Sequence, residues 1–280
     1  KFDAYLLIRA PFNLKEDASV PAEATKIRSE ALAAANRRYF TRIADRSLKR
    51  SLCQYPTQAS AQEAGMSLTE YSDFVYRACK LHLDSPEEGW LKVRAEQQRI
   101  VDHLNKCQRV HYKGPDTDIR FSTKGRTWIN SDGRSNMPSG EVFTSPVENS
   151  VEGTIRFSFP AIHGGHEVEQ ATLWVKKGII YKWEASKGKD YLDKIFNIPG
   201  TTRFGEAAIG TNYEIQNITK NILFDEKIGG SIHMAIGQSY LQCGGKNKSS
   251  VHWDMISDMK QGGEIWADDE LIYKDGQFLI

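Results

Sequence analysis

Near residue 110 the spacing of the apolar residues shifts from a helical to a strand-like period, and this restricts the fold more than any other feature. Before it, helix-forming sequence dominates. A strand-like opening, Tyr5-Leu6-Leu7-Ile8-Arg9, precedes Pro11. The stretch from Pro21 to Leu52 is rich in Ala, Glu, Lys and Arg, which lose little on entering a helix, so a long helix is predicted there. Ser67-Leu68-Thr69-Glu70 has capping-box spacing and opens a second helix with Phe74, Val75 and Cys79 on its apolar face. Ser85-Pro86-Glu87-Glu88 offers an N-cap serine, a proline at the first helical position and a glutamate three residues after the cap. The helix it begins should bury Trp90, Leu91, Val93, Ile100, Val101 and Leu104 and end near Lys106.

Beyond residue 110 the period falls to two. Thr154 to Phe159 alternates as a half-buried strand does. Leu173-Trp174-Val175 and Ile179-Ile180-Tyr181 flank Lys176-Lys177-Gly178 as a hairpin, and Glu264-Ile265-Trp266 and Leu271-Ile272-Tyr273 flank Asp268-Asp269-Glu270 as another. Asp275-Gly276 turns the chain into a last strand, Phe278-Leu279-Ile280. The expectation is an α+β chain with a helix-rich part over residues 1–108 and an antiparallel, β-rich part over residues 109–280.

Charge and cysteine content narrow the function. Thirty-seven basic residues against thirty-six acidic ones leave a net charge of +1, which gives no bulk electrostatic footprint for nucleic acid. No apolar run approaches the ~20 residues of a membrane helix. Cys53, Cys79, Cys107 and Cys243 form no CxxC pair and read as buried thiols of a reducing, cytoplasmic compartment. The chain opens at Lys1 without Met, so an upstream segment is expected to be missing.

Three common catalytic signatures are absent. Gly237-Gln238-Ser239-Tyr240-Leu241 lacks the second glycine of a nucleophile elbow. Gly244-Gly245-Lys246-Asn247 lacks the hydroxyl residue of a phosphate-binding loop, and no HExxH pair occurs. Metal ligands remain. On a strand, His252 and Asp254 of Val251-His252-Trp253-Asp254-Met255 project from one face while Trp253 points to the other, so both can meet one divalent ion. Taken alone, such a pair arises by chance more often than not. In Ser231-Ile232-His233-Met234-Ala235-Ile236-Gly237 the face carrying His233 is otherwise small, which leaves room for an ion; a hydrogen-bonded core histidine is the alternative. Glu141 follows a turn-forming loop, and Glu206 sits in Gly205-Glu206-Ala207-Ala208-Ile209-Gly210, a poor setting for a solvated surface charge.

The strings GRTWINSDGRSNMPSGEVFTSPVENSVEG, GEAAIGTN, NILFDEKIGGSIHMAIGQSY and GGKNKSSVHWDMI, with YPTQASAQEAGMSLTEYSDFVYRA in the helical part, resemble the thermophilic metallo-aminopeptidase family, the aminopeptidase T and S group. The resemblance runs along essentially the whole chain. It implies that the N-terminal part is the remnant of an α/β domain and that the β-rich part is a metal-binding catalytic domain. It further implies two divalent ions (Zn, Co or Mn) held by Glu141, Glu206, His233, His252 and Asp254, with Glu206 and Tyr240 at the reacting centre and Tyr240 reaching the metals or the substrate. The implied partners are peptides with a free N-terminus and a second copy of the chain, with no nucleic acid and no membrane. Trp174, Trp183 and Trp266 are the candidates for the dimer contact, although core packing is the default for each. Glu148 is a candidate general base, with a salt-bridged structural role the simpler reading. His82, His103, His111, His163 and His166 are not expected to be ligands. The rival readings are a two-metal amidase or phosphoesterase and a non-enzymatic domain with a structural metal.

Overall fold

The computed structural model describes residues 2–16, 19–45 and 47–280. Its opening strand, Ala4–Arg9, pairs in parallel with Lys49–Gln54, which pairs in parallel with Asn136–Met137. The predicted long helix is therefore too long by one element: it runs over Ala22–Ala44 and the chain then re-enters as the middle strand of this small sheet. The break is stabilised locally. The Leu48 backbone N–H bonds to Arg42 O (3.0 Å), the Arg42 guanidinium donates to Ser47 O (2.7 Å), and the Leu48 side chain is buried. Every residue of Ala4–Arg9 is exposed, and the strand is paired on one side only among the described residues.

The next two helices follow their sequence signals closely. Leu68–Ala78 is opened by the predicted capping box, Ser67 Oγ accepting from Glu70 N–H (3.2 Å) and Glu70 Oε2 from Ser67 N–H (2.8 Å). Pro86–Leu104 begins at its proline, but the Ser85 side chain makes no capping bond. Trp90, Ile100, Val101 and Leu104 are buried as expected and Val93 partly so, while Leu91 faces solvent. Gln97 is buried instead. Its Nε2 donates to Asn130 Oδ1, Ser131 O and Glu141 O at 2.5, 3.0 and 3.2 Å, which ties this helix to the β-rich part.

Two antiparallel sheets make up most of the remainder. The larger has eight strands in the order Ile179–Glu184, Thr172–Lys176, Glu152–Arg156, Thr117–Ser122, Arg109–Gly114, Glu264–Ala267, Glu270–Lys274 and Gln277–Phe278. Both predicted hairpins are in it, and the strand expected over Thr154–Phe159 spans Glu152–Arg156. Lys177 and Gly178 both take positive φ, the two-residue turn whose twist matches that of the strands, and any Cβ on Gly178 would overlap Glu148 O. The smaller sheet has five strands in the order His252–Asp258, Ser231–Gly237, Phe204–Gly210, Glu141–Thr144 and Ile129–Ser131. One core joins the two sheets: Val110, Tyr112, Ile119, Phe121, Ile155 and Leu173 of the larger pack with Ala207, Ile209, Ile232, Met234, Trp253 and Met255 of the smaller. Ile100, Val101 and Leu104 of the preceding helix enter that same core. All four cysteines are free, and no helix among the described residues is long and apolar enough to cross a membrane.

Candidate metal centre

With the apolar residues of the five-stranded sheet turned to the core, its other face carries the chemistry. Residues directly opposite each other in an antiparallel pair lie on the same face. The register sets Glu141 against Gly210, Glu206 against Ala235, Ala235 against Asp254, and Gly237 against His252. Within each strand every second residue returns to that face, which adds His233. Four adjacent strands therefore bring Glu141, Glu206, His233, His252 and Asp254 together, and Ala208, Ala235 and Gly237 leave the space between them open.

The distances are those of a ligand cluster. His233 Nε2 stands 3.3 Å from Glu141 Oε2 and 3.8 Å from Glu206 Oε1; His252 Nε2 stands 3.1 Å from Glu206 Oε2 and 3.6 Å from Asp254 Oδ1. Two triads result, Glu141–Glu206–His233 and Glu206–His252–Asp254, and in each the candidate ligand atoms lie within 4.8 Å of one another. Glu206 belongs to both. Glu141, Glu206, His233 and Asp254 are buried, and His252 is partly so.

Local backbone chemistry aims two of these groups. A register shift between Phe204 and Glu206 makes Gly205 a bulge, a device that re-aims neighbouring side chains. A Cβ on Gly205 would lie 2.2 Å from Gln238 O, so glycine alone lets that carbonyl approach. The Gln238 carbonyl in turn lies 2.8 Å from His252 Nδ1. A carbonyl only accepts, so Nδ1 carries a proton in either charge state of the ring and Nε2 is left facing Glu206 and Asp254. Holding a ligating imidazole through its second nitrogen is how metal sites fix ring orientation.

Two further charged groups complete the centre. Lys227 is fully buried, its Nζ 3.7 Å from Glu141 Oε1 and in close ion pair with Glu226. Four carboxylates, Glu141, Glu206, Glu226 and Asp254, thus lie with one buried ammonium and two imidazoles, a concentration of ionisable groups that burial makes costly unless each is partnered. Burial alone would raise the Glu206 carboxyl, but the imidazoles of His233 and His252 beside it hold it at about 2. Burial would lower His252, yet Asp254 and Glu206 push it up to about 10; His233 is raised in the same sense against its own burial by Glu141 and Glu206. Glu226 is raised to about 8 by burial, against the attraction of Lys227 and with the repulsion of Glu141 and Asp254.

The residues fit a divalent metal. Ten buried side-chain polar atoms lack a hydrogen-bond partner among the described residues, and four of them converge here: His233 Nδ1 and Nε2, His252 Nε2 and Asp254 Oδ1. His233 Nε2 is at ion-pair distance from two carboxylates but completes a hydrogen bond with neither. Buried polar atoms left in that state call for a ligand, and a donor set of carboxylates and imidazoles suits first-row divalent ions.

Across residues 1–278 the chain matches the thermophilic metalloprotease (M29) family. It belongs to that family. Aminopeptidase AmpS of Bacillus subtilis is 30% identical across 59% of this chain and 44% of the relative, and aminopeptidase 2 of Geobacillus stearothermophilus is 28% identical across 90% and 69%. The chain thus spans under half of the first relative's length and about two thirds of the second's. The solved structure of wild-type AmpT from Thermus thermophilus shares the fold with a TM-score of 0.83, at 24% identity, covering 99% of this chain and 76% of that one.

Other expectations are sorted by the same M29 fold. Tyr240 lies at the rim, its ring 5.0 Å from that of His252 and 5.3 Å from that of Phe143. Glu148 is apart from the cluster: it accepts from Arg126 Nη2 (2.5 Å) and from the Lys246 backbone N–H (2.6 Å), a structural brace. His163 and His166 flank a Gly164-Gly165 turn, and His82, His103 and His111 pair with Glu214, Glu270 and Asp118 away from the centre. Trp174, Trp183 and Trp266 are half-buried with partners of their own: Lys182 over Trp174, Asp193 bonded to Trp183, and Glu264 bonded to Trp266. Glu226, Lys227, Gln238 and Gln97 went unnoticed in the sequence reading. Only the Glu226-Lys227 pair carried any signal, as part of Asp225-Glu226-Lys227, three charges set between Phe224 and Ile228.

Proposed function

We propose that this chain carries the catalytic site of a metal-dependent aminopeptidase that releases N-terminal residues from peptides. Glu141, Glu206 and His233 would hold one divalent ion and Glu206, His252 and Asp254 a second, drawn from Zn, Co and Mn. The observation that carries the reading is the position of Glu206 in both triads. Divalent ions bound there supply Lewis acidity and bring the pKa of water down towards ~7. The chain's own groups do the rest. The Gln238 carbonyl keeps His252 oriented, and Lys227 balances Glu141 and Glu226 so that Glu141 stays available to the centre. Trp253 and Met255 seal the back of the sheet against water. The Tyr240 hydroxyl, at the rim beside His252, serves as donor to the carbonyl oxygen as charge develops on it. A homodimer in the cytoplasm belongs to the same reading, and the four unpaired thiols support a reducing compartment.

The test is reconstitution. Chelator-stripped protein is titrated with Zn, Co and Mn while release from a chromogenic aminoacyl amide is followed. Two equivalents should restore turnover, and the N-acetylated substrate should be nearly inert at equal metal occupancy. Comparable rates on free and acetylated substrates would leave a less selective amidase. Metal that stabilises the fold without turnover would leave a structural site.

A further inference from the structure

A recess of about 830 Å³ opens beyond the end of the five-stranded sheet. Arg203 of its lining directly precedes the strand Phe204–Gly210, and Val147 to Asn149 follow the paired strand Glu141–Thr144. Lys124 to Arg126 come from the loop after Thr117–Ser122, and Gly244 and Lys246 from the segment that leaves Tyr240. Two backbone bonds hold these pieces together, Thr127 N–H to Cys243 O and Gly245 N–H to Tyr240 O, both 3.1 Å. Four cationic side chains, those of Lys124, Arg126, Arg203 and Lys246, line the recess with one carboxylate, Glu148. Glu148 is already engaged at both oxygens, by Arg126 Nη2 and by the Lys246 backbone N–H. Burial would raise its carboxyl, but those backbone and guanidinium donors hold it below the usual carboxylate range, so it stays charged. Lys124, Arg203 and Lys246 have no carboxylate at ion-pair distance among the described residues. Arg203 Nη1 donates to two backbone carbonyls instead, Glu148 O (2.8 Å) and Gly178 O (3.4 Å). Arg126 is the decisive group. Its side chain is only 6% exposed, yet its Nε has no hydrogen-bond partner among the described residues. A buried N–H in that state calls for an acceptor. Gly244, at a φ of +83°, keeps the approach open, since a Cβ there would stand 3.5 Å from Arg126 Nη1.

We infer that this recess binds an oxyanion, a carboxylate or phosphate group that completes the donor set of Arg126 while Lys124, Arg203 and Lys246 supply the surrounding positive charge. A planar guanidinium matches the paired oxygens of either group, and such charge-assisted bonds are stronger than neutral ones. Only Val147 gives the lining an apolar side chain, so an apolar ligand does not fit. Two sources share the chemistry: the free C-terminus of a short peptide engaged at the metal centre, and a free anion. The first suits the spacing. Arg203 stands three residues before Glu206, ~10 Å along the strand, a length that about three extended peptide residues span. That source rests on the aminopeptidase reading, whereas the free anion does not.

Two measurements on the wild type, Lys124→Gln and Lys246→Gln test this. Both lysines are exposed, so the variants should fold, and Arg126→Gln adds the buried donor where it also folds. The first measurement is calorimetric titration of chelator-stripped protein with inorganic phosphate, which then has no divalent ion to meet. Each substitution should weaken phosphate binding about tenfold, the worth of one charge-assisted bond. The second is kinetics of the metal-reconstituted protein on trialanine and on trialanine amide, which lacks the terminal carboxylate. If the substrate is the source, kcat/KM for the acid should exceed that for the amide about tenfold, and the variants should lose that preference with the amide rate unchanged. Phosphate binding that depends on the lysines, with acid and amide cleaved equally, makes the source a free anion. The same binding in a protein that cleaves neither peptide sinks the aminopeptidase reading and keeps the site. The inference is overturned when neither phosphate affinity nor acid preference depends on these lysines. An equal effect from Lys92→Gln, an exposed lysine outside the recess, would be one of bulk charge and overturns it too.

Discussion

The two antiparallel sheets obey the same alternation and use it to opposite ends. In the eight-stranded sheet Thr117–Ser122 buries Ile119 and Phe121 and sends Asp118 and Arg120 to water, where charges pair openly, as in Arg156–Asp116 and His111–Asp118. In the five-stranded sheet the back face is equally apolar, but the polar face is also shut away from water. The charges there sit within ion-pair distance without completing their hydrogen bonds. The difference lies in what covers the sheet, and it marks where stability has been given up for chemistry. Surface pairs such as His111–Asp118 contribute little to stability, whereas removing one partner of the buried set leaves an uncompensated charge.

The largest effect should come from Lys227→Met. Glu141 and Glu226 would lose their buried ammonium, at a cost of ~3–5 kcal/mol to the ion-free protein, measured by urea unfolding. Added divalent ion should recover part of the loss. Unchanged stability would show that these carboxylates are hydrated and that the contrast between the sheets is smaller than drawn. Next is a matched pair of deletions. Ile119→Ala in the large sheet should cost ~2–5 kcal/mol and leave metal stoichiometry intact. His252→Ala should lose metal and, because His252 is only partly buried, lower the ion-free melting temperature less than Ile119→Ala does; a drop as large as that of Ile119→Ala would make His252 a core residue after all.

A smaller effect concerns pH. Burial raises Asp225 to about 7, against the hydrogen bonds from Thr219, Lys220 and Asn221. The folded chain therefore holds this proton at pH values where the unfolded chain has released it. Stability from this group is complete below the unfolded value near 3.8 and is lost as pH rises towards 7. Wild type minus Asp225→Asn, measured from pH 4 to pH 8, should show a decline of the order of 2–4 kcal/mol. A flat difference would remove the buried charge. The smallest effect is expected from Gly205→Ala. The added methyl displaces the Gln238 carbonyl from His252, and metal affinity should fall about 10–100-fold with the fold intact. Unchanged affinity would mean that His252 needs no outer support.

Three of the five candidate ligands, His233, His252 and Asp254, were suggested by strand alternation, which is a local rule, while the set with Glu141 and Glu206 came from the family resemblance. Val251 to Met255 and Ser231 to Gly237 announce their two faces without knowledge of any partner strand. Lys49–Gln54 was not legible as a strand, because helix propensity is summed along the chain while its parallel partners, Ala4–Arg9 and Asn136–Met137, are remote in sequence. Lys227 was missed for a related reason. A lysine beside a glutamate reads as surface, and only the fold of Ile222 to Gly230 around it denies it water. Gln97 entered no site reading because its role is to hold a backbone carbonyl, that of Glu141, on an element far along the chain.

Because the cluster depends on alternate residues of four paired strands, an insertion or deletion acts on it as a change of parity. One residue added within Ser231–Gly237 would turn His233 into the Met234 layer and bring Met234 out among the carboxylates. Two residues added would restore the facing but move the imidazole along the strand by ~6–7 Å, out of reach of Glu206. Substitutions can accumulate on the solvent side and the connections between strands can lengthen or shorten freely, but the count inside each strand is fixed. Descent in this fold should therefore be recorded in rigid spacings such as His252 to Asp254, flanked by connections of any length.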